Sequence, residues 1–284
     1  MQQAPFLPVE LYGVIGWPLG QSLSPLIHNT AFQTLGRAAV YMRWEIAPER
    51  LAAFVDSFRL LRMRGCSVTI PHKVAIMPHL DEISEPARAV GAVNTLYWRD
   101  DRLCGENTDV TGFMAPLLAR DLPRDMPVLL LGAGGAARAA AAGLRAHGFS
   151  ACSICTPSDR THLPLAEAFG MQAVAWQDRH DVPAGLIINA TPLGMRGKAE
   201  DETPYDFAPA RAQGRTGLAY DIVYNPLRTR FLAEAEAAGW QTLGGLEMFH
   251  AQADAQFFLW TGEHLPATAR QALEAALHGG EERR

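Results

Sequence analysis

One segment constrains this 284-residue chain more than any other: PVLLLGAGGAARAAAAGLRAHG at 127–148. An unbroken apolar run reads as a strand buried on both faces, and it stops at a glycine. The turn Gly132-Ala133-Gly134-Gly135-Ala136-Ala137 follows, and a helix begins at once. Gly132 permits the tight turn, Gly134 lets backbone approach a pyrophosphate, and Ala137 keeps helix and strand close. The free N–H groups and the positive end of the helix dipole then face an anion. Strand, turn and helix in register predict dinucleotide binding; the competing reading is a tight strand-to-helix turn without a ligand.

The flanking pattern agrees. FSACSIC (149–155), MQAVAW (171–176), GLIINA (185–190) and GLAYDIV (217–223) are near-continuously apolar, with helical segments at 134–147, 160–169 and 226–238. This alternation predicts a doubly wound parallel sheet. Upstream, LYGVIG (11–16), VYMRWEI (40–46) and CSVTI (66–70) read as strands, and AVNTLYW with RLCGENT as a hairpin. Ser24 is expected to cap a helix that has Pro25 at its first position. PERLAAFVDSFRLLR is expected to bury Leu51, Phe54, Val55, Phe58 and Leu61 on one face. Two closing helices, LEMFHAQADAQFFLW and LPATARQALEAALHGG, the second with Pro266 near its start and Gly279 just past its end, are expected to fold back onto another domain.

Composition closes off other classes. Lys and Arg number 25 against 30 Asp and Glu, a net charge of −5, so the basic face needed for nucleic acid is missing. Apolar residues at 48% and charged residues at 19% suit a large core. Cys66, Cys104, Cys152 and Cys155 are too few and too scattered for a disulfide scaffold. Cys152 and Cys155 sit three apart on a strand and so point to opposite faces, as structural thiols rather than a metal pair. No His/Cys cluster has metal-ligand spacing. Leu11–Gly36 is uncharged but carries four Gly and two Pro, unlike a membrane span. With no signal peptide in MQQAPFLPVE, the expected address is the cytoplasm.

Three polar clusters near the N-terminus resist explanation as packing. In Gly20-Gln21-Ser22-Leu23-Ser24-Pro25, two hydroxyls precede a helix and suit an anion or a polyol. In Val68-Thr69-Ile70-Pro71-His72-Lys73, a lysine follows a buried strand and can point into a cleft as a general acid or base. Glu106-Asn107-Thr108-Asp109 ends a strand, and Asp109 is either a helix cap or a functional carboxylate. Cofactor choice is read after the second strand of the nucleotide sheet, where NAD calls for an acid. Arg160, with Thr156 and Ser158, suits the 2′-phosphate of NADP, whereas Asp159 argues for NAD. A plain solvated helix residue is the other reading of Arg160.

GQSLSPLIHN, VTIPHK, GAVNTL, GENTD, LGAGGAARA, INATPLGM, YDIVYNP and GLEMFHAQA together resemble the shikimate dehydrogenase family, in order along nearly the whole chain. The resemblance implies reversible NADPH-dependent reduction of 3-dehydroshikimate to shikimate by hydride transfer. It implies Lys73 and Asp109 as the catalytic pair, with Ser22, Ser24, Thr69, Asn94, Tyr224 and Gln252 on the substrate. It also implies Gly132, Ala133, Gly134, Gly135, Ala136, Thr156, Arg160, Ala190, Thr191, Met195 and Gly245 around the dinucleotide. The implied fold is a substrate domain from 1–110 and 246–284, with a Rossmann domain at 111–245 between. A monomer or homodimer acting on a small hydroaromatic acid is expected, with neither metal, nucleic acid nor membrane.

The chain departs from the family at Ser67, where asparagine is usual, at Cys155-Thr156-Pro157, where NADP-selective members usually read NRT, and at Glu247, where many have glycine. The first two departures motivate a second reading, an NAD-preferring relative acting on quinate or a related acid. A third reading is a dinucleotide sensor without catalysis.

Overall fold

The computed structural model describes residues 8–19, 22–197 and 199–278. Gly20, Gln21 and Gly279, singled out above, lie outside the described residues. Internal contacts divide the chain into a first unit, through Thr108 and again from Gln252, and a second, Asp109–Ala251.

The first unit runs β1 (Glu10–Gly16), α1 (Ser24–Thr34), β2 (Ala39–Glu45), α2 (Leu51–Leu60), β3 (Gly65–Val68), α3 (His72–Ala75), β4 (Glu82–Ile83), α4 (Glu85–Val90), β5 (Thr95–Arg99) and β6 (Arg102–Glu106). Its six-stranded sheet has the order β2-β1-β3-β5-β6-β4. β1 pairs in parallel with β2 and β3, and the hairpin β5–β6 adds on antiparallel to β3. Ile15, Phe54, Val55, Phe58, Val68 and Leu96 fill a core on this sheet. Leu61 is exposed: the helix ends at Leu60, so the expected apolar face stops one residue short of it.

The second unit opens with α5 (Thr108–Leu118). It continues through β7 (Val128–Leu131), α6 (Gly135–Ala146), β8 (Cys152–Cys155), α7 (Leu163–Phe169), β9 (Gln172–Ala173), β10 (Leu186–Asn189), α8 (Ala208–Ala212), β11 (Leu218–Asp221), α9 (Arg230–Ala237) and β12 (Gln241–Leu243). All six strands are parallel, in the order β12-β11-β10-β7-β8-β9. Counted from β7, this is the 3-2-1-4-5-6 doubly wound order, whose switch point lies between β7 and β10. Cys152 packs into the core on one face of this sheet and Cys155 into the core on the other, as their spacing requires. MQAVAW yields only a two-residue, exposed edge strand, because β9 has a neighbour on one side alone.

α10 (Gly245–Thr261) and α11 (Ala267–His278) close the chain. The part of α10 from Gln252 belongs with the first unit. Its Trp260 Nε1 donates to the Leu96 carbonyl at 2.9 Å, across Gly65, where a Cβ would lie 2.3 Å from that nitrogen. α11 packs on α1, and Thr34 and Thr268 share a 2.8 Å hydroxyl contact.

Candidate active site

In the first unit the expected substrate residues gather beyond the carboxyl ends of β1 and β3. The Thr69 N–H donates to the Ile15 carbonyl at 2.9 Å, and the Trp17 N–H to the Ile70 carbonyl at 3.0 Å. These bonds hold the end of β1 and Trp17 against the segment Thr69-Ile70. Leu23, not Ser24, is the N-cap of α1, and no side chain caps it. The helix starts at Ser24, one residue early, and the Ser22 hydroxyl accepts the Ser24 N–H at 3.3 Å. The Ser22 hydroxyl therefore has a local partner, and Ser24 does not cap the helix. The Ser24 side chain meets the buried Tyr41 hydroxyl.

Lys73 sits on the short α3, which is pinned at both sides. His72 is fully buried, with Nε2 2.7 Å from the Ile46 carbonyl, and its N–H donates to the Thr69 carbonyl at 2.9 Å. The Val93 N–H donates to the Lys73 carbonyl at 2.8 Å, and the Val68 N–H to the Asn94 carbonyl at 2.7 Å. Thr69, Lys73 and Asn94 are thus fixed to one another by backbone. Asn94 is buried, and its Oδ1 accepts the Thr108 N–H at 2.8 Å. Asn107 Nδ2 donates to the Ala92 carbonyl at 2.9 Å. Asn107 and Thr108 are therefore spent on placing the start of α5, where Asp109 is the second residue. Gln252 lies on α10 one turn before Gln256, whose Nε2 donates to the Asn94 carbonyl at 3.3 Å.

In the second unit the glycine loop and the NAT segment are brought together. Gly132 has φ +118°, and a Cβ there would lie 2.6 Å from the Ala190 carbonyl oxygen and 3.1 Å from the Thr191 nitrogen. Around Gly134 and Gly135 a Cβ would meet nothing within 4 Å. Gly134 is the N-cap of the 12-residue α6, with no side chain on its first N–H groups. A glycine turn with open space and unspent helix N–H groups fits a pyrophosphate. Thr191 is held by Asn189, whose Oδ1 accepts its N–H at 2.9 Å and its hydroxyl at 2.7 Å. Met195 follows within the same loop, where its N–H donates to the Pro192 carbonyl at 3.1 Å. Gly245 starts α10, where a Cβ would lie 2.2 Å from the Ile222 carbonyl. The Tyr224 and Phe249 rings lie 4.7 Å apart, and burial pushes the Tyr224 phenol up.

After β8 the chain turns rather than starting a helix, so exposed Arg160 belongs to a loop and not to a helix face. Thr156 is buried, 2.9 Å from His162 Nδ1, and reaches the Ser158 and Thr161 hydroxyls at 3.3 and 3.1 Å. Asp159 has φ +52°, and its carboxylate accepts the Trp176 N–H at 2.7 Å. Among the described residues no group of three His, Cys, Asp or Glu is placed to hold a metal ion, and no helix is long and apolar enough to cross a membrane.

The sequence model of the shikimate dehydrogenase substrate binding domain matches residues 14–96. A shikimate dehydrogenase (NADP(+)) of Pelobacter propionicus is 55% identical over 94% of this chain and 96% of its own. One of Oleidesulfovibrio alaskensis is 50% identical over 97% and 99%. The chain belongs to the shikimate dehydrogenase family. The crystal structure of shikimate 5-dehydrogenase from Thermus thermophilus, in complex with NADP(H) and shikimate, superposes with a TM-score of 0.83. It is 37% identical and covers 95% of this chain and 100% of its own.

Sequence reasoning missed Tyr41, Gln256 and Asp221. Tyr41 reads as packing in an apolar strand, Gln256 as a polar position on an amphipathic helix, and Asp221 as part of a motif without a role of its own.

Proposed function

We propose that this chain is an NADP-dependent shikimate dehydrogenase, interconverting shikimate and 3-dehydroshikimate, with Lys73 and Asp109 as its catalytic pair. The first unit supplies Ser22, Ser24, Thr69, Lys73, Asn94 and Gln252, and the second supplies Asp109, Tyr224 and the dinucleotide loop. The observation that carries the reading is the backbone linkage of Thr69, Lys73 and Asn94, in a chain that aligns with relatives of that name along nearly its whole length. NADP(H), when bound, supplies or accepts the hydride.

The rest of the chemistry falls to side chains. Ser22 and Ser24 hold the carboxylate, and Thr69, Asn94, Tyr224 and Gln252 fix the ring. As a ring ketone is reduced, its oxygen gains charge; the Lys73 ammonium stabilises that charge and passes a proton to it. Asp109 accepts a hydrogen bond from the neighbouring hydroxyl and orients Lys73. The loop Gly132–Ala136 receives the pyrophosphate, Ala190, Thr191, Met195 and Gly245 line the nicotinamide half, and Thr156 with Arg160 meet the 2′-phosphate. The engagement of Asp159 with Trp176 supports NADP over NAD, because that carboxylate is spent on the backbone. Four buried, unpaired cysteines suit a reducing cytoplasm, with the chain a monomer or homodimer.

The test is the rate of nicotinamide reduction with shikimate and with quinate, each with NADP⁺ and with NAD⁺. Shikimate with NADP⁺ should be the fastest pair, and Lys73→Ala should abolish turnover with the fold retained. Preference for quinate or NAD⁺ would move the chain to a side branch; tight dinucleotide binding without turnover would make it a sensor. A Lys73→Ala protein working at near wild-type rate would sink the mechanism.

A further inference from the structure

The first unit contains a line of buried polar side chains in an apolar surrounding: Tyr41 on β2, Ser67 on β3, Gln256 on α10, Thr95 on β5, then Asn94 and Thr108. The line has a direction. Tyr41 Oη lies 2.7 Å from Ser67 Oγ, and Ser67 Oγ lies 2.8 Å from Gln256 Oε1. An amide oxygen only accepts, so the Ser67 hydrogen goes to Gln256, and the Ser67 oxygen accepts from Tyr41. Burial holds the Tyr41 phenol protonated, well above its ordinary range.

The Gln256 amide nitrogen then faces the other way, donating to Thr95 Oγ1 at 2.9 Å and to the Asn94 carbonyl at 3.3 Å. The Thr95 hydroxyl, having accepted, donates to Asn94 Oδ1 at 2.7 Å. That oxygen also takes the Thr108 N–H. The Asn94 amide nitrogen lies on the far side, where it donates one hydrogen to Thr108 Oγ1 at 3.0 Å. Turning the Gln256 amide over would set its oxygen against the Asn94 carbonyl oxygen, and turning the Asn94 amide over would set its NH₂ against the Thr108 N–H, so both amides are held in one orientation.

We propose that Gln256 is a positioning residue for substrate recognition. Through Thr95 it holds the Asn94 amide with its oxygen inward, so that Asn94 meets the substrate as a hydrogen-bond donor. Tyr41 and Ser67 keep Gln256 turned the right way. The inference rests on Asn94 touching the substrate, as proposed above. It gives Ser67 a use: the short side chain leaves room for the Tyr41 hydroxyl, and the two together reach Gln256.

The test is calorimetric binding of shikimate and of NADP⁺ to the whole protein, with KM and kcat beside it, for Thr95→Val, Thr95→Ser and Gln256→Met. Valine keeps the shape of threonine and removes the hydroxyl; serine keeps the hydroxyl. Thr95→Val and Gln256→Met should each weaken shikimate binding about tenfold, the scale of one hydrogen bond in a buried chain, with NADP⁺ binding unchanged. Thr95→Ser should recover shikimate binding to within about twofold of wild type, since only a methyl is lost. Should Thr95→Val fail to fold, Ser67→Ala, which removes the hydroxyl that donates to Gln256, should shift shikimate binding the same way by about threefold. Shikimate binding untouched in Thr95→Val or Ser67→Ala overturns the inference. So does equal loss of both ligands, or Thr95→Ser failing as badly as Thr95→Val, since each marks a merely structural role. Wild-type protein that binds no shikimate at all overturns the functional reading itself, a different result from any of these.

Discussion

The carboxylate of Asp159 accepts the backbone N–H of Trp176 at 2.7 Å, while its neighbour Arg160 stands exposed. Two residues that argue for opposite cofactors in the sequence are thereby separated in the structure. The acid is committed to closing the loop after β8, and the guanidinium is on offer. Arg160→Ala should raise the Kd for NADP⁺ about tenfold, the scale of one charge-assisted hydrogen bond, and leave that for NAD⁺ unchanged. Fluorescence titration with both dinucleotides decides it: equal weakening of the two would remove Arg160 from the 2′-phosphate.

The glycine loop separates a structural role from a binding role within three residues. A methyl on Gly132 meets backbone at Ala190 and adopts a φ that L-residues avoid, so nothing flexible can yield. Gly132→Ala should lower the melting temperature by ~5 °C or more and lose NADP⁺ binding with it. A methyl on Gly134 enters open space. Gly134→Ala should melt like wild type yet bind NADP⁺ more weakly, because the methyl fills part of the space proposed for the pyrophosphate. A Gly134→Ala protein with undiminished affinity would remove the pyrophosphate from that space.

The contrast shows which parts of this molecule a sequence reveals. The loop at 132–137 is legible because its strand, turn and helix are contiguous, and each glycine answers to a local constraint. Lys73 and Asp109 are legible as polar residues at strand and helix ends. The line from Tyr41 to Asn94 is not, because each of its members comes from a different element and looks ordinary in its own. Likewise Ser24 looks like a cap until Ser22 is seen accepting its N–H. MQAVAW looks like a core strand because apolar composition does not say whether a strand lies at a sheet's edge.

His28 makes a prediction about acid stability. It is fully buried, stacked on Tyr41 at 4.6 Å between ring centroids and tilted on Trp260 at 5.1 Å. The Gln256 amide lies beside it. Burial lowers its pKa from 6.5 to about 3. Between those values the unfolded chain takes up a proton that the native state refuses, so stability is full above pH 6.5 and is lost as pH falls towards 3. His28→Phe keeps an aromatic ring there and removes the proton site. Relative to this variant, wild type should lose about 1.4 kcal/mol per pH unit below 6, read from urea midpoints between pH 7 and 4.5. Parallel pH profiles for the two proteins would show that the imidazole is solvated.

Asp221 works in the opposite sense. Its buried carboxylate takes Asn189 Nδ2 at 3.0 Å, the Val223 N–H at 3.0 Å and the Thr229 hydroxyl at 2.5 Å. Through Asn189 it braces Thr191, and through Thr229 it braces the start of α9, where that same hydroxyl accepts the Leu232 N–H at 3.3 Å. Burial raises its pKa from 3.8 to about 7. The native state therefore holds the proton more tightly, and the stability this contributes is complete below pH 3.8 and lost as pH rises through 7. Asp221→Asn cannot titrate and turns an NH₂ against one of three donors. It should lose this pH slope, lower the melting temperature, and raise the KM for NADP⁺ more than that for shikimate, because the segment it supports carries Thr191. A rise confined to the KM for shikimate would mean that Asp221 acts on the other half of the reaction.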